Sequence, residues 1–310
     1  MKKIMILMTF MVICYPPIAE SGGVANFNWV IDNSGSWFDA NNWQEGFVPE
    51  SDLDVRFGVG SDDLSRDEVD IDNFSSGVNL PDTLVRFERK MTFVDSSAMG
   101  DPLLADDGLV FDTMNLNGKG GGAVVFNVPV TADTMTSNRH GGIFNREITV
   151  NTILAESAHQ DKWEINASAT GVINYLLLDE NRGPDGGNVE SFFQINSDLE
   201  FNMVDHVWNH MRIGADSLTS VNTYVYFDYT NQQDNNNINP ITIDGTLTVG
   251  IFNIYDVANG STIGLDIGSY GSIDNQGVDF QTDFITGDGL LLVTVGDLIF
   301  SDGFDDCLTC

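Results

Sequence analysis

His206 and His210 stand four residues apart with Asp205 beside them. On a helix that spacing would point two imidazoles at one divalent metal ion. The flanking Met203-Val204 and Val207-Trp208 carry no helical period. In an extended strand, residues four apart lie on one face but about 13 Å from each other, too far to share an ion. The histidines are therefore expected to be structural. Acidic clusters offer a second chemistry: Asp62-Asp63, Asp67-Glu68 with Asp70 and Asp72, Asp106-Asp107, and Asp302 with Asp305-Asp306. Calcium takes about six to eight oxygens from carboxylates and carbonyls, which Asp- and Asn-rich turns supply. Asp67, Asp70, Asp72, Asp302 and Asp305 are the calcium candidates, and a structural calcium ion is the one cofactor such turns would suit. None of the clusters has an Asp-x-Asn-x-Asp-Gly loop with its closing Glu, so a solvated acidic face competes with the ion at each. Carboxylate pairs could serve as acid and base, but at this charge they arise by chance. No Gly-x-Ser-x-Gly turn marks a nucleophile, and no residue is assigned a catalytic or cofactor-binding role.

The elements that must position these side chains read as β-structure. Runs such as Leu84–Arg89, Ala123–Thr131, Glu147–Leu154, Val172–Leu178, Tyr224–Tyr229 and Leu290–Val295 are rich in Val, Ile, Thr, Phe and Tyr. Gly, Asn and Asp clusters divide them, the signature of strands and turns, and no long window shows a helical period. The segment Ile241–Val249 is a short strand, an Asp-Gly corner and a second short strand, and similar units recur at Ser261–Gly268 and Gly271–Asn275. Short strands joined by tight bends suit stacked coils, so the expected fold is all-β: an irregular right-handed parallel β-solenoid, or β-helix. An Asp-Gly corner also opens hairpins, which makes an antiparallel β-sandwich the alternative. Thr230–Pro240 and Gly183–Gly187 read as polar excursions from that scaffold.

Charge and targeting narrow the function. The chain of 310 residues carries 13 Lys and Arg against 46 Asp and Glu, a formal charge of -33. That field repels phosphate, which excludes nucleic acid and anionic lipid as partners. Hydrophobic residues at 42% and aromatics at 10% separate it from disordered acidic chains. Met1-Lys2-Lys3, an apolar run from Ile4 to Cys14, and Tyr15-Pro16-Pro17 describe a secretory signal peptide over residues 1–21. No later segment approaches a membrane-spanning helix. With Cys14 removed, Cys307 and Cys310 are the remaining cysteines, and a local disulfide is the plain expectation in an oxidising compartment.

Two segments carry a resemblance. Gly35-Ser36-Trp37, Asn42-Trp43, Gly46 and Pro49, closed by Asp52 and Asp54, resemble the N-terminal segment of large secreted bacterial proteins built from autotransporter-type β-strand repeats. The resemblance implies a cap sealed by Trp37 and Trp43. Ile299-Phe300-Ser301-Asp302-Gly303-Phe304-Asp305 is similar to an Ile-Phe-x-Asp-Gly-Phe tail found on secreted gammaproteobacterial proteins. The implied organisation is a signal peptide over 1–21, a Trp-rich cap over 22–60, a solenoid over 61–295 and an acidic tail with the cysteine pair over 296–310. The implied role is structural or adhesive, extracellular or on the outer surface of a Gram-negative cell, with surface glycans or other surface proteins as partners. Two alternatives stand beside it. One is a polysaccharide-active β-helix enzyme, lyase or glycosidase, although the arginines form no recognisable cluster. Asp106-Asp107 and Arg212-Ile213 echo pectin hydrolase fragments, but Gly214 stands where those enzymes have Lys. The other is a carbohydrate-binding module with tryptophans as sugar platforms.

Overall fold

The computed structural model describes residues 26–30, 34–51, 53–57, 67–72, 77–87, 91–98, 107–116, 123–137, 141–155, 162–166, 170–179, 192–207, 210–228, 241–256, 261–265, 285–286 and 290–293. The expected signal peptide, the expected polar excursions at 183–187 and 230–240, and the tail with Asp302, Asp305, Cys307 and Cys310 lie outside these residues.

Alternation of inward apolar and outward polar residues makes each segment a strand with one buried face. Successive strands join two sheets in turn. One sheet takes β1 (Asn26–Asn28), β3 (Asp54–Phe57), β5 (Gly77–Phe87), β7 (Gly108–Leu116) and β9 (Val130–Ser137). It continues through β11 (Ile148–Ala155), β13 (Gly171–Leu178), β15 (Leu199–His206), β17 (Leu218–Asp228) and β19 (Thr246–Asp256). The other takes β2 (Gly35–Ser36), β4 (Asp67–Asp70), β6 (Met91–Val94), β8 (Val124–Phe126) and β10 (Gly142–Phe144). It ends with β12 (Lys162–Ile165), β14 (Phe192–Ile195), β16 (His210–Ile213), β18 (Ile241–Ile243) and β21 (Ile285–Thr286). Every neighbour along both paths is parallel, as in Ile148↔Gly171 or Phe192↔His210. The fold is the parallel β-solenoid, and this parallel register excludes the antiparallel sandwich. Helix among the described residues is limited to the 3-10 turns Ala40–Asn42 and Ser96–Ala98.

In-register stacking piles like residues on like. Phe93 stacks on Phe126 at 5.6 Å, Phe126 on Phe144 at 4.9 Å, Phe144 on Trp163 at 6.0 Å and Trp163 on Phe193 at 5.8 Å. All five rings are fully buried. Such ring pairs add about 0.5–1.5 kcal/mol each beyond the area they bury. At the corners that follow the even strands, asparagines form a second stack. Asn145 donates its side-chain amide to Asn127 Oδ1 at 2.7 Å, Asn166 to Asn145 Oδ1 at 2.7 Å, and Asn196 to Asn166 Oδ1 at 3.2 Å. Each half-buried amide thus finds its partner in the coil next to it.

In the sheet of odd-numbered strands, the edges of β1 and β19 are covered. Residues 42–44 run antiparallel along β1: Val30 N donates to Asn42 O and Gln44 N to Asn28 O, both at 2.9 Å. This bridges Trp29 to Trp43. The Trp43 indole packs edge-on against Trp29 at 5.0 Å and Trp37 at 4.8 Å, and its Nε1 donates to the Trp37 carbonyl at 2.8 Å. Trp29, Trp37 and Trp43 are each no more than 2% exposed. Glu45 ties the segment down by accepting from Asn28 N and Nδ2, both at 2.9 Å, and Gly46 turns the chain away at φ 78. The interval 22–60 therefore contributes β1, β2 and β3 as rungs as well as the cover. At the far end β20 (Ser261–Leu265) folds back antiparallel on β19, while β22 (Leu290–Val293) pairs with its first half. Covered edges keep a solenoid from adding foreign strands.

Trp43→Ala should cost about 3–5 kcal/mol, the range for truncating a large buried aromatic. Denaturant unfolding should show that loss, with acrylamide quenching of the remaining indoles rising as the first rung opens.

Candidate functional site

The outer face of the sheet formed by the odd-numbered strands is built by a bend repeated in β7 to β19. Along β9, β11 and β15, two consecutive residues face outward in place of strict alternation. The first of the two is Asp112, Asp133, Asn151, Asn174, Asn202 and Asn222 in successive strands, and Gly250 in β19. Asp and Asn tolerate the distorted backbone and bond locally. Thr113 Oγ1 donates to Asp112 Oδ2 at 3.1 Å, and Thr134 Oγ1 to Asp133 Oδ2 at 3.2 Å. Asn151 donates to Asp133 at 3.1 Å, Asn174 to Asn151 at 3.1 Å, and Asn222 to Asn202 at 3.2 Å. The result is an exposed ladder of amides and carboxylates up the side of the stack.

Where Gly250 interrupts this ladder, a groove of about 360 Å³ opens, lined by Val172, Glu200, Asn202, Ser220, Thr248 and Gly250 among others. Val172, Glu200, Ser220 and Thr248 stand in one register column across β13, β15, β17 and β19. A side chain at 250 would meet Asn222 O at 2.7 Å, so glycine keeps the groove open and the coils close. Val172 and Ile251 present apolar surface at 41% and 54% exposure. Short hydroxyls, amides, one carboxylate and small apolar patches suit a polar ligand with many hydroxyl groups. Nearby, the Tyr175 hydroxyl donates to Asp205 Oδ2 at 2.7 Å. Burial pushes the Asp205 carboxyl above its ordinary value, with the Tyr175 hydrogen bond pulling the other way, and burial alone raises Asp179.

The sequence-derived candidates fall apart spatially. His206 ends β15 fully buried, its Nδ1 2.7 Å from the Tyr224 hydroxyl, which donates to Met211 Sδ at 3.2 Å. Burial first, and Tyr226 second, push the Tyr224 phenol well above its usual range. His210 begins β16 in the other sheet, half-buried. Arg212 Nε donates to its Nδ1 at 3.3 Å, which leaves the Nε2 hydrogen to Thr242 Oγ1 at 2.8 Å. The two imidazoles thus occupy different strands in different sheets, one in the core, and share no ion. The guanidinium of Arg212 lies 4.6 Å above the Phe192 ring, away from Asp107.

Of the calcium candidates, Asp67 opens β4, and Asp70 Oδ1 accepts from Asp72 N at 3.1 Å and Ser96 N at 2.9 Å. Asp72 instead gathers with Asp95 and Asp107, with one oxygen of each within 4.8 Å of the others. Among the described residues this is the group that could ligate a divalent cation. Asp95, which the sequence did not single out, also accepts from Ser97 N at 2.9 Å and Ser97 Oγ at 2.5 Å, so these hydrogen bonds hold its carboxylate in place. Among the described residues, no helix is long and apolar enough to cross a membrane. No protein-family model, curated protein or solved structure matches the chain.

The raised carboxyl of Asp205 has a definite sign. The native state holds that proton at pH values where the unfolded chain has released it, so stability falls as pH rises through the window above the ordinary carboxyl value. Asp205→Asn, which keeps an oxygen for Tyr175, should be at least as stable as the parent near pH 7. Its advantage should shrink as pH is lowered toward 4, read from paired thermal melts.

Proposed function

We propose that this protein is an exported, surface-associated β-solenoid whose lateral face binds rather than transforms its ligand. The carrying observation is the groove on the outer face, where Gly250 breaks the amide ladder between Val172 and Thr248. A rigid stack presents those groups at fixed intervals, and short side chains with few rotamers lose little entropy on contact. The ligand chemistry that matches is a surface glycan: hydroxyls meet Asn202, Ser220, Asn222 and Thr248, while apolar ring faces meet Val172. The basic, apolar and proline-bearing start of the chain supports export. The formal charge of -33 supports life outside the cell, where such a surface resists aggregation.

The test is a panel of immobilised polysaccharides probed with the full chain and with Ser220→Trp, which fills the groove from an outward position. The variant should lose at least about tenfold in glycan retention while its melting behaviour stays near the parent's, since outward substitutions shift stability by about 0.5 kcal/mol or less. Release of new reducing ends from any glycan in the panel would instead favour the enzyme alternative.

A further inference from the structure

The tripeptide Val-Arg-Phe occurs twice, at Val55-Arg56-Phe57 and Val85-Arg86-Phe87. Its copies lie on neighbouring strands in register, Arg56↔Arg86 and Phe57↔Phe87. Phe57 and Phe87 stack at 5.3 Å in the core, so alternation sends both arginines out of the same face, one above the other. Like charges directly opposite in a sheet repel. Among the described residues, the carboxylate nearest both is Asp54, whose Oδ2 lies 4.0 Å from Nη2 of each, beyond hydrogen-bond length. Nε of Arg56 and of Arg86 is buried without a partner, and so is Oδ1 of Asn115, which pairs with Arg86 in the following strand. The side chains themselves are 28% and 31% exposed, which leaves part of each in contact with solvent.

This is a notable place for unsatisfied donors in a chain with 46 acidic residues. Two guanidiniums beside Asp54 leave a local excess of positive charge, which a carboxylate placed against both would meet. Two planar forks on one face match the two oxygens of a carboxylate. The surrounding negative field repels polyanions of high charge density and leaves short-range pairing to select the ligand. We infer that Arg56 and Arg86 form a site for a carboxylate carried on a hydroxylated ligand, the chemistry of a uronic-acid sugar. The inference deepens the surface-glycan reading and rests on it for the ligand's origin, while the site itself lies several coils away from the groove.

The test titrates the full chain with a galacturonic acid trimer, a neutral glucose trimer and sodium acetate, by calorimetry in 0.15 M and 1 M NaCl. The acidic trimer should bind more tightly than acetate, and its affinity should fall in 1 M salt as the charges are screened. Arg56→Gln with Arg86→Gln should weaken it at least tenfold, without changing any binding of the neutral trimer. Because that variant leaves the buried Asp54 carboxylate without a cation, its melt is compared with the parent's before binding is read. If it fails to fold, Arg56→Lys with Arg86→Lys replaces it; there the loss of the planar forks should still weaken binding severalfold. Equal affinity of parent and variants for the acidic trimer, or acetate binding as tightly as the trimer, would overturn the site. So would a variant that changes only the oligomeric state, since the pair would then receive carboxylates from a second copy. Neutral glycans that bind the groove while the acidic trimer does not would sink this site and spare the surface-binding reading; no glycan binding at all would remove both.

Discussion

Parallel in-register pairing governs everything else in this molecule. When each strand lies directly over its counterpart, every side chain faces the one at the same register position in the next coil, at the spacing between strands. That favours groups attracted to their own kind. Flat aromatic rings stack from Phe93 to Phe193, and asparagine amides, donor and acceptor at once, chain from Asn127 to Asn196. It penalises groups that repel their own kind, and charged residues are those. The described inward columns are accordingly apolar apart from a few polar groups such as His206, Thr219 and Ser137, and His206 is matched to the Tyr224 hydroxyl.

The same constraint creates the ends. A stack of parallel strands exposes a full row of backbone donors and acceptors at each terminus, and a further strand would fit there. The tryptophan segment answers this by pairing residues 42–44 with β1 in the opposite direction, which satisfies the edge and cannot propagate. Three indoles then roof the first coil, and Trp37 reaches as far as Phe111 at 6.0 Å. β20 does the corresponding work on the last long strand, again antiparallel. Direction reversal is what separates a cap from another rung.

The all-β class was legible because β-branched and aromatic runs lie between Gly, Asn and Asp, while Ile241–Val249, a short strand, a corner and another strand, pointed to stacked coils and still left a hairpin open. The repeat itself was harder to read. Asn151 follows Asp133 by 18 residues, Asn174 follows Asn151 by 23, and Asn222 follows Asn202 by 20, so loops of varying length hide any fixed period. A gap-tolerant pattern does find it: apolar, Asx, any residue, apolar, in Phe111-Asp112-Thr113-Met114, Val150-Asn151-Thr152-Ile153 and Val221-Asn222-Thr223-Tyr224. The arginines form no cluster in the sequence because 30 residues separate the two Val-Arg-Phe copies in the chain; as rungs they lie side by side. The carboxylate group escaped for a different reason. Asp72 and Asp107 reach Asp95 from different coils, and neither the spacing nor the composition of any one segment encodes that meeting.

Charge placement along the exposed ladder follows from the rule that like repels like. Asp112 and Asp133 stand on adjacent strands, and each takes a hydrogen bond from its following threonine. From Asn151 onward the column turns to amides, which bond to the residue below, where a carboxylate would repel it. A chain with 46 acidic side chains thus keeps repulsion out of the long column by changing one oxygen for a nitrogen, and Asp133 is the junction that accepts the first amide. Arg56 and Arg86, like Asp112 and Asp133, keep two like charges on adjacent strands with no amide between them. Asp54, 4.0 Å from both guanidiniums, offsets part of their repulsion. A carboxylate from outside the chain would offset the rest, which is the part inferred for the uronic-acid ligand.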